Sequence, residues 1–514
     1  MKAAGYRIHP LWRVLLTLLL AACIGACSRP APVEPPDRCV VVLYFNDFHG
    51  HLEPFQGSND TMLGGMARIK TLVDSQRQEA KRKGCGSILL AAGDMVQGTA
   101  MSQLLTGHAE ISAMNLLGVD AMVIGNHEFD FGLKRLRDLS HMASFKIISA
   151  NILASDGEPM FAPYTTLWTD EGLRVGVVGL TAEDTPVTTD PKNVTSVRFL
   201  PPDETLKHYL PLLEEKSDIR LVLSHVGAGV DEQLAAQVAG IHGIVGGHTH
   251  TMLVPPKTVG GVYVTQAFEH GKIIGMMTME LHNGEVRVTD SKPLLVTDEI
   301  PEDPAMQRLV KRFHKTVEKR LSQPLGTLPK ALPRHSAEGR ARSSLLGSWT
   351  TEALRRRAGT QIAFLNAGAI RADLPKGDIT YRHLLNAFPF PNNIFTFKLT
   401  GEQLLGMISR SWRLANDKHH AFGGFLHLAG VEVEVFHGRI NRVTINGKAV
   451  DSKATYTAAT ISFLAGGGDG YFVLSRAGGY DTGVTLYDVL TWAINEKQLP
   501  PPNKWKRWKV LADK

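Results

Sequence analysis

Short apolar runs that end at polar side chains recur along the first 300 residues of this 514-residue chain. One of them, Met122–Ile124, is followed by Gly125 and then by Asn-His-Glu-Phe-Asp, so amide, imidazole and carboxylate groups follow a buried-type run directly. Four other runs lead into similar residues: Val40–Phe45, Ser87–Ala92, Leu221–Leu223 and Ile244–Val245. Such runs are typical of strands buried on both faces, and open α/β sheets bind ligands beyond the carboxyl ends of their strands. The pattern predicts one site built from several strand ends.

Segments with helical periodicity lie between the predicted strands. Apolar residues recur at helical spacing in Met66–Val73 and Leu104–Leu117, and strands that alternate with helices predict a layered α/β domain. Further along, Val262–Val264 and Glu285–Val288 resemble antiparallel hairpin strands, with Asn283-Gly284 as a turn. One central sheet, or two packed sheets, flanked by helices would accommodate both patterns.

The rest of the chain predicts a second α/β domain, because 514 residues are more than one hydrophobic core usually organises. An amphipathic helix from Met306 to Leu321 connects the two parts, although it could equally be the first element of the second part. The predicted organisation is an N-terminal layered α/β domain in residues 39–300, a linker helix in residues 301–325 and a C-terminal α/β domain in residues 326–514.

The first residues predict an export signal. An apolar stretch, Val14–Leu20, is too short to span a bilayer and leads into two lipobox-like sequences. They predict a lipoprotein signal peptide in residues 1–27, with lipidation at Cys27 or at Cys23. Residues 28–38 are rich in proline and predict an extended tether. The mature protein is therefore predicted to be exported and lipid-anchored to a bacterial membrane, in the periplasm or on the cell surface; secretory cleavage without lipidation is the alternative.

Two cysteines remain in the folded part of the chain. Cys39 lies eight residues before Asp47, and Cys85 lies nine residues before Asp94. If both aspartates follow neighbouring parallel strands, the two cysteines lie side by side at the opposite ends. The spacing of about 4.8 Å between strands suits a disulfide, and export makes one plausible. Two separate buried thiols are the alternative.

Composition and charge argue against several classes of protein. A hydrophobic content of 43% with 21% charged residues is typical of a globular chain. The net charge is only +6, and basic runs such as Lys81–Lys83 and Arg355–Arg357 are short and scattered. The chain is therefore not expected to bind a nucleic-acid polymer.

The polar residues at the strand ends offer only oxygen and nitrogen donors: Asp47, His49, Asp94, Asn126, His225, His248 and His250. Such a set suits Mn, Zn, Fe, Co or Ni better than a soft metal. Two such ions a few ångströms apart form the usual clamp for displacement at phosphorus. The sequence therefore predicts two divalent metal ions as cofactors.

These motifs, in this order, resemble the signature of the calcineurin-like metallophosphoesterases. Together with Asn366–Arg371 and the Gly466–Tyr471 loop, they make the whole chain after the tether similar to the bacterial 5'-nucleotidase and UDP-sugar hydrolase family. The resemblance implies an N-terminal metallophosphoesterase domain and a C-terminal domain that binds the substrate.

The resemblance also implies roles for the strand-end residues. It assigns Asp47, His49 and His250 to the first metal, Asn126, His225 and His248 to the second, and Asp94 to both. Close relatives often have Gln or Asn where this chain has His250, which leaves the choice among Mn, Zn and Co open. His127 and Asp130 match the family's catalytic pair, in which a charged imidazole stabilises the phosphoryl group or the leaving group. Alternatively, His127 only orients a metal ligand.

Six residues of the second domain match the family's substrate-binding positions: Arg340 and Arg371 for phosphate or carboxylate oxygens, Phe390 and Phe463 for stacking on the base, and Asn392 and Asp469 for hydrogen bonds to base and ribose. A further arginine position of the family falls on Ser336, which Arg334 or Arg342 could replace.

The function implied by the resemblance is hydrolysis of nucleoside 5'-monophosphates, and also of UDP-sugars, for nucleotide salvage. With metals on one domain and the base on the other, the domains must close on the substrate, with a hinge near Pro324–Pro329. The enzymatic alternative is a 2',3'-cyclic-nucleotide phosphodiesterase with 3'-nucleotidase activity, and a thiosulfohydrolase is more distant. The nonenzymatic alternative is a surface lipoprotein that binds nucleotides.

Overall fold

A computed structural model describes residues 38–57, 61–334, 342–416, 422–498 and 507–510. The predicted signal peptide, residues 28–37 of the predicted tether, both candidate lipidation cysteines, Ser336 and Arg340 lie outside this part of the chain. Among the described residues, none of the helices combines the length and the apolar character needed to cross a membrane.

The first sheet of the N-terminal half has six strands, of which four neighbouring ones run parallel. A hairpin turning at Asn283-Gly284, as predicted, adds two antiparallel strands at one edge. In spatial order the strands are Glu285–Leu295, Ile273–His282, Arg38–Phe45, Gly86–Ala91, Ala121–Val123 and Lys146–Ile148.

The second sheet also has six strands, in the order Met252–Val259, Val262–Ala267, Gly243–Gly246, Ile219–His225, Arg174–Thr181 and Tyr164–Trp168. The middle four run parallel, and the two edge strands run antiparallel to their neighbours. The hairpin interpretation of Val262–Val264 was therefore incomplete. This strand pairs antiparallel with one neighbour, but it also pairs parallel with Gly243–Gly246.

The two sheets pack face to face, and helices cover their outer faces. Along the first strand, Val40, Val42 and Tyr44 point into the space between the sheets, whereas Val41 and Leu43 point toward the helices. Both faces are therefore buried, which is why this strand reads as an uninterrupted apolar run. The helices of this half are Met66–Arg82, Ala100–Leu105, His108–Leu117, Leu133–Met142, Thr185–Thr188, Pro202–Glu214 and Ala228–Gln237, with 3-10 turns at His127–Phe129 and Pro191–Val194. Two small sheets pair Phe55–Gln56 with Met62–Leu63 and Ile152–Ala154 with Val197–Phe199.

Cys39 and Cys85 form a disulfide, with their Cα atoms 4.8 Å apart. Val40 lies opposite Gly86 in the parallel register of the first two strands, so the preceding cysteines are neighbours. Of the two alternatives that the sequence allowed, the structure has the bridge.

The helix Pro304–Leu321 packs on the N-terminal half. Asp303 caps it by accepting a hydrogen bond from the Met306 amide at 2.7 Å. Met306 and Leu321, at its two ends, belong to the core beneath the first sheet. At its far end Glu318 accepts a hydrogen bond from Arg382 of the C-terminal half. The helix thus contacts both halves of the molecule.

The C-terminal half has a core of its own, formed by residues between Leu328 and Trp508. Its main sheet has five strands, in the order Leu426–Ala429, Ile362–Asn366, Thr455–Ile461, Asn393–Thr400 and Tyr480–Thr485. A four-stranded sheet comprises Lys448–Ala449, Arg439–Ile445, Val431–Phe436 and Trp508–Val510, and a two-stranded one pairs Pro324–Leu328 with Gly377–Thr380. The helices are Leu345–Ala358, Tyr381–Ala387, Gly401–Asn416, Ser462–Ala465, Phe472–Ala477 and Leu486–Asn495, with 3-10 turns at Ala367–Ala369, Phe422–Gly424 and Gly468–Gly470. The predicted fold class, two consecutive α/β parts with layered sheets and helices in the first, is confirmed.

Candidate metal centre and active site

All seven predicted ligands lie together, because the parallel strands of both sheets end on the same side of the N-terminal half. Three strands of the first sheet lead into ligand-bearing loops, and two strands of the second sheet do the same. Their ligands are Asp47 and His49, Asp94, and Asn126 from the first sheet, and His225, then His248 and His250, from the second.

One group of donors consists of Asp47, His49 and His250, whose ligand atoms lie within 4.8 Å of one another. The Nε2 atom of His250 is 3.2 Å from Asp47 Oδ1 and 3.2 Å from His49 Nε2. Two imidazole nitrogens and a carboxylate oxygen thus surround one point, which is the donor set of a divalent transition-metal site.

The second group consists of Asp94, His225 and His248. Asp94 Oδ2 lies 3.2 Å from His225 Nε2 and 3.9 Å from His49 Nε2 of the first group. The side-chain oxygen Oδ1 of Asn126 lies 3.0 Å from His248 Nδ1. Asp94 therefore faces both groups, as a carboxylate shared by two ions would.

Hydrogen bonds on the far side of two rings determine which nitrogen faces each group. His225 donates its Nδ1 proton to the Ala92 carbonyl at 2.7 Å, and His250 donates its Nδ1 proton to Glu269 Oε2 at 2.6 Å. Nε2 is therefore the nitrogen that faces the donor group in both rings. His225 Nε2 is buried and has no hydrogen-bond partner of acceptable geometry. An unpaired buried nitrogen beside a carboxylate is costly unless a cation binds there, so the residues present fit a metal ion.

The carboxylates of the centre carry charge that its imidazoles compensate. Burial alone would raise the pKa of Asp94, but His225, His127 and His49 lower it well below its usual range. Burial would lower the pKa of His225, but Asp94 raises it to about 10. Metal ions would replace this compensating charge, so their binding is expected to release protons.

The loops of the centre hold unusual backbone conformations. Five of the seven candidate ligands have positive φ angles between 47° and 77°: Asp47, His49, Asp94, His248 and His250. Such angles are uncommon for residues other than glycine and are concentrated at functional sites. Hydrogen bonds between loops stabilise them, including those from the Asp47 amide to the Gly93 carbonyl and from the His49 amide to the Asp94 carbonyl, each 3.0 Å long.

Glu128 joins two of these loops, although the sequence suggested no role for it. It is 2% exposed, and its carboxylate accepts hydrogen bonds from the backbone amides of Asp94, Met95 and Gly125 at 2.7 to 2.9 Å. Burial raises its pKa to about 7, with the nearby Asp94 carboxylate acting in the same direction. Glu128 thereby holds the loop of Asp94 against the loop of Asn126.

His127 and Asp130 form a pair beside the metal centre. His127 Nδ1 lies 2.7 Å from Asp130 Oδ2, and its Nε2 lies 4.0 Å from Asp94 Oδ2. Burial would lower the pKa of His127, but the carboxylates of Asp130 and Asp94 raise it above its usual value. Asp130 also accepts a hydrogen bond from the Thr189 hydroxyl at 2.6 Å, a contact that the sequence did not indicate.

Two predicted substrate residues of the C-terminal half reach this site. The ring of Phe390 lies 5.8 Å from the His127 ring, and the Arg371 guanidinium lies 5.8 Å from the Phe390 ring. Burial lowers the pKa of Arg371, while the nearby Asp94 and Asp130 carboxylates oppose that shift. Both side chains are only partly buried, and Phe390 contacts a ring of the N-terminal half.

The remaining predicted substrate residues lie around the glycine-rich loop. Phe463 is partly exposed, and Asp469 accepts a hydrogen bond from the Asn366 amide group at 2.8 Å. The side-chain oxygen Oδ1 of Asn392 is already engaged, because it accepts hydrogen bonds from the Ser462 hydroxyl and the Phe463 backbone amide, each at 3.0 Å. In this structure Asn392 therefore holds the turn that presents Phe463.

The structure describes both Arg334 and Arg342, the two arginines that could replace the family arginine missing at Ser336. Arg334 donates a hydrogen bond to the Arg371 carbonyl, so it lies beside an arginine that faces the site. Arg342 lies 5.2 Å from the Trp412 ring. Arg334 is thus the better candidate.

Sequence reasoning missed Glu269, which orients His250 and accepts a second hydrogen bond from Lys272 at 2.7 Å. The pattern that revealed the ligands could have found it, because Phe268-Glu269-His270 directly follows the strand Val262–Ala267. Thr189 had no such signal, since it lies in a loop of short turns.

The N-terminal half is that of a metallophosphoesterase. It has two facing sheets with helices outside them, and paired metal-binding groups lie at the strand ends. Residues 40–252 match the calcineurin-like phosphoesterase family, and residues 324–476 match the C-terminal domain of 5'-nucleotidases. The chain is 30% identical to Protein UshA of Salmonella pullorum over 94% of this chain and 96% of that protein, and 29% identical to a 5'-nucleotidase of Vibrio cholerae over 93% and 94%. The crystal structure of a 5'-nucleotidase precursor from Thermus thermophilus matches with a TM-score of 0.82 and 32% identity over 93% of this chain and all of that one.

The chain therefore belongs to the 5'-nucleotidase family and is a metal-dependent phosphomonoesterase. A sulfate thiohydrolase, SoxB of Thermus thermophilus, shares the fold with a TM-score of 0.76, but at 20% identity that likeness concerns the fold alone.

Substituting Glu269 with Gln is expected to weaken metal binding at the first group about 10- to 100-fold, because the amide is a poorer acceptor for the His250 Nδ1 proton. Titration calorimetry with Mn²⁺ or Co²⁺ measures the affinity directly. Glu285→Gln, which changes an exposed carboxylate in the hairpin strand, is the matched control. An unchanged affinity for both ions in Glu269→Gln would show that His250 needs no such support.

Proposed function

We propose that this enzyme hydrolyses nucleoside 5'-monophosphates to nucleoside and phosphate with two divalent metal ions. One observation supports the proposal most directly: the two donor groups, which Asp94 faces, lie beside His127, and both Phe390 and Arg371 of the other half reach the same place. The substrate class also agrees with the names of the relatives, several of which are 5'-nucleotidases.

The residues that would hold the ions are Asp47, His49 and His250 for the first, and Asn126, His225 and His248 for the second, with Asp94 shared. When bound, such ions activate water as a nucleophile and neutralise charge on the phosphoryl oxygens. The donor set suits Mn, Zn or Co.

His127 would act on the phosphoryl group or on the leaving oxygen. Its Nδ1 proton is held by Asp130, so Nε2 points toward the metal centre with a proton to donate in a hydrogen bond. A charged donor in a site shielded from water stabilises negative charge that develops in the transition state. Arg371 would bind phosphate oxygens from the opposite side.

The base would stack on Phe390 and Phe463, and Asp469 would hydrogen-bond to the ribose or base. Arg340 is proposed as a second phosphate-binding arginine by its position in the sequence. Asn392 would act mainly by holding Phe463 in place, since its side-chain oxygen Oδ1 is engaged within the protein.

The test of the proposed function is phosphate release from AMP by protein supplied with Mn²⁺, Co²⁺ or Zn²⁺. UDP-glucose, 3'-AMP and 2',3'-cyclic AMP, assayed beside it, distinguish the other activities of this class. Fastest turnover of AMP supports the proposal. Fastest turnover of 2',3'-cyclic AMP or 3'-AMP would replace it with the cyclic phosphodiesterase, and metal binding without any turnover would leave only a nucleotide-binding lipoprotein.

We further propose that the protein is exported and lipid-anchored through Cys27, or Cys23, after removal of the residues that precede that cysteine, with residues 28–38 as a tether. The signal-like N-terminal sequence supports this proposal. Metabolic labelling with a palmitate analogue, followed by mass spectrometry of the mature N-terminus, identifies the modified cysteine. An unmodified mature N-terminus would contradict the anchor.

Phe463→Ala is expected to raise KM for AMP about 5- to 150-fold, because base stacking on an aromatic ring contributes about 1 to 3 kcal/mol. KM for p-nitrophenyl phosphate, which has no base, should change less than about twofold. Phe436→Ala, a substitution of a surface phenylalanine in the strand Val431–Phe436, is the control. Equal effects on the two substrates would mean that Phe463 does not contact the base.

A further inference from the structure

Asp130 is held from both sides. One of its oxygens, Oδ2, pairs with His127 Nδ1 at 2.7 Å, and the other, Oδ1, accepts the Thr189 hydroxyl proton at 2.6 Å. Thr189 is 1% exposed, so no water can readily take the place of its hydroxyl. The orientation of the His127 ring therefore depends on Thr189 through the carboxylate between them.

Thr189 belongs to residues 184–194, here called the 184–194 segment, which lies against the metal centre. The Asn193 side chain donates a hydrogen bond to the Asp130 carbonyl at 3.1 Å. The Thr188 carbonyl accepts one from the Asn126 side chain at 3.4 Å. The segment thus contacts a candidate metal ligand and both ends of Asp130, its carboxylate and its backbone carbonyl.

The same segment also contacts the substrate-binding half of the molecule. Its short helix, Thr185–Thr188, packs against the turn Gly468–Gly470 of the glycine-rich loop. A methyl group placed on Gly466 would lie 3.5 Å from Pro191 Cδ, so the start of that loop rests on the segment as well. A single stretch of chain therefore touches the loop beside Phe463 and the carboxylate that orients His127.

We propose that Thr189 is a positioning residue that couples the seating of the glycine-rich loop on the 184–194 segment to the orientation of His127. The inference rests on the proposed function, because it assumes that His127 assists departure of the nucleoside. When the loop closes over a nucleoside, it presses on the segment, and Thr189 keeps Asp130 and His127 aligned. The nucleoside part of the substrate then raises kcat as well as improving binding.

The first experiment compares Thr189→Val with Thr189→Ser in the full-length, metal-loaded enzyme. Thr189→Val is expected to lower kcat for AMP about tenfold or more, because it removes a hydrogen bond to a charged carboxylate, and to change KM less than about twofold. The loss should be smaller for p-nitrophenyl phosphate, whose leaving group departs without a proton. Thr189→Ser keeps the hydroxyl and should restore most of the rate.

Thr195→Val is the matched control, since Thr195 is an exposed residue just after the segment and, within the described part of the chain, its hydroxyl contacts only the Lys192 carbonyl. Equal losses for AMP and p-nitrophenyl phosphate, a normal rate in Thr189→Val, or an equally impaired Thr189→Ser would each overturn the positioning role. These outcomes are separate from a failure of the proposed function, which would appear in the wild-type enzyme itself, either as no turnover with metal bound or as faster turnover of 3'-AMP or 2',3'-cyclic AMP than of AMP.

A second experiment tests the coupling through Pro191. Pro191→Ala should lower kcat for AMP in the wild-type background and cause little further loss in Thr189→Val, because both changes interrupt the same connection. Additive losses in the double variant would overturn the coupling. The rate with p-nitrophenyl phosphate should be the same with and without Pro191→Ala, since that substrate has no base to seat the loop.

Discussion

Asp94→Asn is expected to reduce the rate of phosphate release at least about a thousandfold and to lower the metal content below two ions per chain. Asp94 is 2% exposed and its carboxylate faces both donor groups, with Oδ2 3.2 Å from His225 Nε2 and 3.9 Å from His49 Nε2. Asparagine has nearly the same shape but no charge, so the two ions would lose a shared anion that no neighbouring group replaces.

Metal analysis by mass spectrometry and phosphate release from AMP measure the two effects on one sample. Asp138→Asn is the matched control, because Asp138 is an exposed carboxylate of the helix Leu133–Met142 and pairs with Lys134 on its own helix. If Asp94→Asn retained two bound ions and a normal rate, Asp94 would not be the carboxylate that the two ions share.

His127→Ala should lower kcat about 10²- to 10⁴-fold, which is the usual contribution of a positioned acid or charged donor. Unlike the change at Asp94, it should leave two ions bound, because His127 belongs to neither donor group. The loss should be larger for AMP than for p-nitrophenyl phosphate, whose leaving group is more stable as an anion. A loss of metal in His127→Ala would favour the alternative in which this imidazole only orients a ligand.

The pH dependence of the rate provides a second test of the pair formed by His127 and Asp130. Asp130 raises the pKa of His127, so the charged imidazole persists to higher pH than it would alone. In Asp130→Asn the pKa of His127 falls. The alkaline limb of the pH–rate profile should therefore move to lower pH. His141→Ala, a change of an exposed histidine in the same half, should leave both the rate and the limb unchanged.

Much of the centre could be predicted from the sequence because its construction is local. Strands buried on both faces appear as apolar runs, and a ligand such as Asp47 or Asp94 lies within a few residues of the last strand position. The same regularity explains the disulfide. Cys39 and Cys85 precede their aspartates at nearly equal distances, and the parallel register therefore brings them together.

The partners of these residues could not be predicted in the same way, because they come from distant parts of the chain. Thr189 reaches Asp130 across 59 residues, and Asn392 reaches Phe463 across 71. Nothing in the local pattern distinguishes Thr189 from other threonines in loops. The sequence also left open whether one sheet or two would form, and it did not show that Val262–Ala267 pairs in parallel with Gly243–Gly246.

By itself, the sequence determined which positions are strands and which side chains stand at their ends, because periodicity and burial act within a few residues. It thereby determined the metal-binding class of the protein. Only the tertiary structure decided that two sheets stack with their ligand-bearing ends together, that Glu269 supports His250, and that the 184–194 segment lies between His127 and the glycine-rich loop. Those contacts depend on how whole layers pack, and packing joins residues whose separation along the chain carries no information about their distance in space.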